Sequence, residues 1–449
     1  MTTHTTKTVV IDDDPTGSQT VHGCLLLTRW DVPTLTEALG DESPLFFVLS
    51  NTRGMNPEDA AAVTREVCVN LRAALDASAE RGRPIQPVIV SRSDSTLRGH
   101  YPVETDVIAE ELGPFDAHFL VPAFFEGGRI TRNGTHYLIV DGPSGPTPVP
   151  VNETEFAQDS VFGFSTAYLP DYVEEKTAGR ISAGQVEGFM LADVRGDIGD
   201  RLRTLTGNRC CIVDAERQAD LHDFCRQVIA AADDGKRFLF RSAASLLTAL
   251  AGLPPQPVAA DAMTAFVRDG QPGVVLMGSH VDKSTRQLEQ LIQDTDVVPL
   301  EIDLDRMLSD EAGLLAELQT RMRAAMSEGS SLVLFTSRGE RRFDSKAERL
   351  AFGDRVAALL VRIVQQLPPD IGFLISKGGI TSNDTLSKGL ALRTARVLGQ
   401  IRAGCSVVRC PADHPRYPDL PVVIFPGNVG GDDALTEVYR ILTDTAGAV

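Results

Sequence analysis

Arg92, Asp94, Ser95 and Arg98 stand close together in the run VIVSRSDSTLRGHYPVETDVI (88–108), where a strand-length apolar stretch stops at a dense polar cluster. Two guanidiniums, a carboxylate and several hydroxyls in one loop suit a small hydroxylated anion, since ligands of open α/β sheets bind beyond the carboxyl ends of the strands. A surface Arg–Asp salt bridge is the plainer use of the same residues. From Pro102 onward the chain reads as a helix, with Pro at its first position and Glu104 and Asp106 in its first turn.

A second acidic loop, Asp12-Asp13-Asp14, follows the first apolar run and leads into Pro15-Thr16-Gly17. Three adjacent carboxylates repel one another unless solvent, a cation or a hydrogen-bonding ligand offsets the repulsion. Taken alone, Asp-Pro-Thr-Gly is an ordinary turn and capping signal; its place at the end of a strand points to a site. The C-terminal half carries three glycine turns after apolar runs: Gly278-Ser279, Gly378-Gly379 leading to Thr381, and Gly427-Asn428-Val429-Gly430-Gly431. Such turns let backbone N–H groups approach phosphate oxygens, and three of them in one domain suggest a nucleotide site.

Several classes are excluded. GSHVDKST (278–285) has Asp282 where a P-loop needs Gly before Lys-Ser, and no GxGxxG, GxSxG or HExxH is present. The eight histidines, among them His22, His100 and His136 near the polar loops, show no metal-ligand spacing, so metal ligands remain unassigned. Seven cysteines without a CxxC pair read as reduced thiols. A net charge of −18 without any basic block argues against nucleic acid. No apolar run approaches the roughly 18 residues of a membrane helix, and the N-terminus does not read as a signal peptide, so a cytoplasmic location is expected.

The elements that position these loops form one repeated pattern. TVVIDDDPTG, LFFVLSNTRG, PVIVSRSDST and HFLVPAFFEGG in the first half, and GVVLMGSHVDKST, SLVLFTSRGE, IGFLISKGGITSND and PVVIFPGNVGGDD in the second, are apolar runs that each end in a polar or glycine loop. They alternate with amphipathic helices such as 57–80, which predicts an α/β architecture of largely parallel sheets in both halves. The charge-free, Pro-rich segment 251–260 is the linker candidate, giving domains 1–250 and 261–449. A second Pro-rich stretch, 141–156, reads as a long functional loop.

Taken in order, DDPTG (13–17), SRSDSTLRGHYPVE (91–104), VPAFFEGGRITRNGTHYL (121–138), ETEFAQD (153–159), KGGITSND (377–384) and PGNVGG (426–431) resemble the four-carbon acid sugar kinases. The resemblance implies a sugar-acid-binding α/β domain, then a nucleotide-binding α/β domain, with the active site between them. It also implies phosphorylation of threonate, erythronate or oxo-tetronate type acids with ATP and Mg2+. By resemblance Asp13, Asp14, Asp94 and Arg98 fall on the sugar side, with Arg53 as a neighbour. Ser279, Gly378, Gly379, Thr381, Gly427, Asn428 and Gly430 fall on the nucleotide side.

Three departures stand out. Ser91-Arg92 replaces a Lys ahead of Asp-Ser-Thr, Ile380 an acidic residue after Gly-Gly, and Phe425 a basic residue before Pro-Gly-Asn. The implied mechanism has Arg98, with Arg53 or Arg92, hold the substrate carboxylate beside Ser95. One of Asp94, Asp13 and Asp14 takes the hydroxyl proton, and the glycine turns cradle the phosphates. A kinase for a branched oxo-acid such as 3-oxo-isoapionate and a non-catalytic sugar-acid or nucleotide sensor are the alternatives. The partners are then a small sugar acid and ATP, without nucleic acid or membrane, and a homo-oligomer stays open.

Overall fold

The computed structural model describes residues 5–142, 145–279, 281–338, 343, 345–427 and 429–444. It divides into two compact units, Met1–Pro254 and Pro255–Val449.

The first unit is built on strands β1 (Thr5–Asp12), β2 (Leu25–Leu27), β3 (Leu45–Leu49), β4 (Ile85–Arg92), β5 (Ala117–Val121), β6 (Arg129–Arg132), β7 (Thr135–Gly142), β8 (Gly145–Pro150), β9 (Glu187–Phe189), β10 (Arg209–Val213) and β11 (Phe238–Ser242). Eight of these form one sheet in the order β2-β3-β1-β4-β11-β5-β10-β9, with every neighbouring pair parallel. Val9, Val10 and Ile11 of β1 are all buried although they alternate faces, as a parallel strand covered on both sides requires. The helix Pro57–Glu80 starts with Pro57 at its first position and the Asn56 side chain accepting from Asp59 N at 2.8 Å. Its Val67, Cys68, Leu71 and Ala74 then pack in one apolar cluster with Val9, Ile11, Phe46 and Val48.

Strands β6, β7 and β8 form a separate antiparallel sheet. The Pro-rich stretch 141–156 is thus a hairpin strand with short turns behind it, and the expectation of a long loop is corrected. Pro146, Pro148 and Pro150 pair with Asp141, Ile139 and Tyr137, so the prolines occupy every second position of the outer strand. An edge strand tolerates them there because the missing N–H groups all lie on the unpaired side.

The second unit contains β12 (Val274–Met277), β13 (Val298–Ile302), β14 (Leu332–Thr336), β15 (Leu374–Lys377), β16 (Thr394–Arg402), β17 (Cys405–Arg409) and β18 (Pro421–Phe425). Their order is β13-β14-β12-β15-β18-β17-β16, parallel through β18 and antiparallel across β18-β17-β16. Val275, Val333, Ile375 and Val423 from four of these strands share a core with Leu288, Leu291, Leu435 and Val438 of flanking helices. Both units are α/β with largely parallel sheets, as the apolar runs predict. All seven cysteines are buried, and none takes part in a disulfide. Among the described residues no helix is long and apolar enough to cross a membrane.

Candidate functional sites at the carboxyl edges of the two sheets

In the first unit the ends of β1, β3, β4 and β11 lie side by side in register, which gathers the loops they lead into. Arg92 pairs in register with both Asp12 and Ser242. Arg53, four residues past β3, is the hub of the resulting charge cluster. Its Nη2 lies 2.5 Å from Asp13 Oδ1 and its Nε 3.2 Å from Asp13 Oδ2, a two-pronged contact. Its Nη1 reaches Asp14 Oδ2 at 3.3 Å and Asp94 Oδ1 at 3.9 Å. Arg92 Nη1 stands 3.4 Å from Asp12 Oδ1, and Arg98 Nε donates to Asp94 Oδ2 at 2.8 Å. The structure therefore brings together Asp13, Asp14, Asp94, Arg53, Arg92 and Arg98. Ser95 joins through its backbone, its carbonyl 2.8 Å from His136 Nε2.

The electrostatics follow from burial and pairing. Burial pushes the Asp12 carboxyl up to about 7 against the pull of Arg92, with repulsion from Asp13 and Asp14 adding to the shift. Asp12 Oδ2 is buried without a hydrogen-bond partner among the described residues, and a Cβ on Gly17 would overlap that carboxylate, so the turn closes directly over it. Burial also works against the Asp94 carboxylate, yet the Arg53 and Arg98 guanidiniums and the Thr96 hydroxyl hold it well below the usual range. Burial pushes His136 down to about 4, which keeps it neutral and consistent with a packed role.

The helix begins at Val103, with Pro102 at its cap rather than its first position, and Glu104 in the first turn is buried. Its Oε2 accepts from Arg241 Nη1 at 2.5 Å and its Oε1 from Thr52 at 2.5 Å. Arg241 also donates to Ser91 Oγ and Ser93 Oγ, each at 2.7 Å, and Ser93 Oγ in turn donates to Asp13 Oδ2 at 2.8 Å. The acidic loop is thus braced from β11 by a chain of polar contacts that sequence reasoning missed.

A narrow pocket of about 20 Å³ opens beside this cluster, lined by Ser93, Asp94, Leu97, Arg98, Tyr101, Tyr172 and Arg241 among others. Asp94 and Arg98 line it; Asp13 and Asp14 do not. Arg98 is flanked by the Phe156 ring, 4.9 Å from its Cζ to the centroid, and by Asp159 at 3.8 Å, both in the ETEFAQD segment. A further guanidinium, Arg129 of β6, feels the charges of Asp94, Arg98 and Glu155. It makes no salt bridge among the described residues, and its Nε is buried without a partner.

In the second unit the glycine turns converge on Ser279. A Cβ on Gly427 would lie 3.3 Å from Ser279 Oγ and one on Gly378 3.4 Å from Ser279 Cβ, and Gly378 has φ 117°, a conformation that favours glycine. Ser284 Oγ donates to Ser279 Oγ at 3.2 Å and to the Gly427 carbonyl at 3.1 Å. Thr381 lies against Gly378, and Gly379 opens the helix Gly379–Asp384. Gly430 packs on Ala434, and its loop is pinned by Gln287, which donates to the carbonyls of Val429 and Gly431 at 3.0 and 2.7 Å. Asn428 lies outside the described residues. Ile380 is 71% exposed. Among the described residues no group of three or more His, Cys, Asp or Glu side chains is arranged to hold a metal ion.

A sugar-binding N-terminal domain family matches residues 8–250, and a nucleotide-binding C-terminal domain family matches residues 274–435. A D-erythronate kinase of Heliobacterium modesticaldum is 30% identical over 227 residues, which cover 47% of this chain and 46% of that protein. A D-threonate kinase of Bordetella bronchiseptica is 28% identical over 169 residues, covering 36% of this chain and 37% of that protein. The chain thus matches less than half the length of these curated relatives. A solved Haemophilus influenzae protein of the DUF1537 family shares the fold over 97% of this chain and 100% of its own, with a TM-score of 0.65 at 17% identity.

Proposed function

This chain belongs to the four-carbon acid sugar kinase family, and we propose on that premise that it transfers the γ-phosphoryl group of ATP to a hydroxyl of a small sugar acid of the erythronate, threonate or oxo-tetronate type. The observation that carries the reading is the pocket in which Asp94 and Arg98, hydrogen-bonded to each other, stand beside Tyr101 and Tyr172. A carboxylate next to a guanidinium matches a ligand that carries hydroxyls at one end and an acid at the other.

Asp94 is the carboxylate we assign to the acceptor hydroxyl, because it faces the pocket. Held ionised across the physiological range, it accepts the hydroxyl hydrogen bond and fixes the oxygen's direction. That suffices for a loose transition state, in which positioning outweighs base strength. Asp13, clamped by Arg53 and Ser93, and Asp14, held by Arg53 and Thr16, keep the loop in shape. Arg53 is held by Asp13 and Asp14 and Arg92 by Asp12, and neither lines the pocket, whereas Arg98 does while paired with Asp94, so we assign the acid end of the substrate to Arg98 together with Arg129.

On the nucleotide side the amides of the glycine turns around Ser279 would receive the phosphates. Magnesium, when bound, neutralises phosphate oxygens, and it characteristically takes one or two protein carboxylates besides phosphate and water.

An ADP-release assay with Mg-ATP against threonate, erythronate, their 2- and 3-oxo forms and oxo-isoapionate tests the proposal. Turnover on one acid is the expected result. ADP release at the no-substrate background throughout, with ATP still bound by calorimetry, would favour the sensor.

A further inference from the structure

Lys377 and Arg338 are two cations that the mechanism above leaves unused. Both lie at the carboxyl edge of the second unit's sheet, Lys377 closing β15 and Arg338 two residues past β14. Lys377 is fully buried, its ammonium 4.2 Å from the centroid of the Phe425 ring and its Nζ donating to the Pro426 carbonyl at 3.1 Å. Arg338 Nη1 donates to the Ser279 carbonyl at 2.5 Å, while its Nε and Nη2 are buried with no partner among the described residues. Neither makes a salt bridge among the described residues. The charges that act on Lys377 are those of Lys283 and Arg338, with the Cys405 thiol beside it; on Arg338 they are the carboxylates of Glu301 and Glu289, neither within salt-bridge range among the described residues.

Buried like charges with open donors and no counterion are costly in an isolated protein, and they are relieved by a polyanion that takes up the vacant N–H groups. The glycine turns and the N-terminus of the helix Asp282–Asp294 open at the same place, around Ser279. We propose that Lys377 and Arg338 form a two-point cationic seat for the phosphate chain of the nucleotide, with Arg338 donating through Nε and Nη2 and Lys377 through its remaining ammonium hydrogens. The proposal deepens the nucleotide half of the function above and rests on it. The position before Pro-Gly-Asn is a phenylalanine in this chain; the Lys377 ammonium lies over its ring from the next strand.

The test is calorimetric binding of Mg-ATP, inorganic tripolyphosphate and adenosine to the full chain and to K377M, R338Q and R338K. The wild type should bind ATP and tripolyphosphate. K377M and R338Q should each bind both about 10- to 100-fold more weakly, the range for a lost hydrogen bond to a charged group, with R338K between them and the wild type. Because burial pushes the Lys377 amine down to about 7, phosphate binding at pH 8 should draw up to about one proton into the wild type and none at this site in K377M, read from buffers of different ionisation enthalpy. Folded K377M and R338Q that bind tripolyphosphate as the wild type does would overturn the proposal and leave the kinase reading standing. A wild type that binds neither ATP nor tripolyphosphate would overturn both, whereas one that binds them without turning over any acid would overturn the kinase reading alone.

Discussion

Lys377 and Phe425 are register partners in adjacent parallel strands, and the Lys377 ammonium lies over the Phe425 ring at 4.2 Å. The ring's negative face supplies part of the solvation that burial removes from the ammonium, and the Pro426 carbonyl supplies more. The remainder is a deficit that appears as pH dependence.

Burial lowers the Lys377 amine from 10.5 to about 7, so the unfolded chain binds the proton more tightly than the folded one between those values. Stability therefore rises as pH climbs from about 7 to 10.5, and below 7 the folded state carries the full penalty of the buried ammonium. K377M should flatten that slope and raise stability at pH 6 by a few kcal/mol at most, an order-of-magnitude figure from the size of the shift. Urea unfolding of both proteins across pH 6–10 measures it; parallel curves would refute it.

Replacing Asp94 with Asn should lower kcat for the acid by roughly 10²-fold or more, since hydroxyl alignment is lost where it matters most, in the transition state. ATP affinity should stay within a few-fold of wild type. Steady-state kinetics paired with nucleotide calorimetry separates the two effects.

Arg98→Lys and Arg129→Ala should raise KM for the sugar acid by about 10-fold or more, because Lys cannot reproduce a planar two-pronged grip and Ala removes the charge. The loss should be confined to acids. An uncharged tetritol offered as a weak substrate should respond little to either change, and an equal loss for acid and tetritol would remove the carboxylate role.

Arg241→Met should destabilise the first unit by about 3–5 kcal/mol, because it strands the Glu104 carboxylate in the interior. The double variant R241M/E104L should recover much of that stability. Activity should stay low in the double variant, since Ser93 and through it Asp13 lose their support from Arg241. Thermal denaturation and turnover, measured together, separate these outcomes.

Gly17→Ala should cost about 1–3 kcal/mol, the range for forcing a methyl group into a packed site, since its Cβ overlaps the Asp12 carboxylate. In an Asp12→Ala background the same change should cost much less. A double-mutant cycle by chemical denaturation gives the coupling, and additive effects would show that the turn yields elsewhere.

Legibility in the sequence followed chemical simplicity. Runs such as VVID and LFFVL are buried on both faces and read directly as parallel strands, and helix Pro57–Glu80 is announced by Asn56, Pro57 and its acidic first turn. The charged loops at the strand ends were visible because hydrophobicity stops there abruptly. Arg241 and Lys377 were not, because each is a single charge at the end of an otherwise apolar strand, and what it touches is set by the neighbouring strands. Glu104 looked like a dipole-complementing residue because local helix rules fit it equally well, while Arg241 is 137 residues away. The strand pair Thr135–Gly142 and Gly145–Pro150 was obscured by prolines, which mark turns far more often than strands.

Those prolines also decide what the small sheet can become. Pro146, Pro148 and Pro150 leave the outer side of β8 without the amide hydrogens that an incoming strand from another molecule would need. Its carbonyls alone cannot template a neighbour, so this edge is capped against strand-by-strand polymerisation by the same residues that hid it from view.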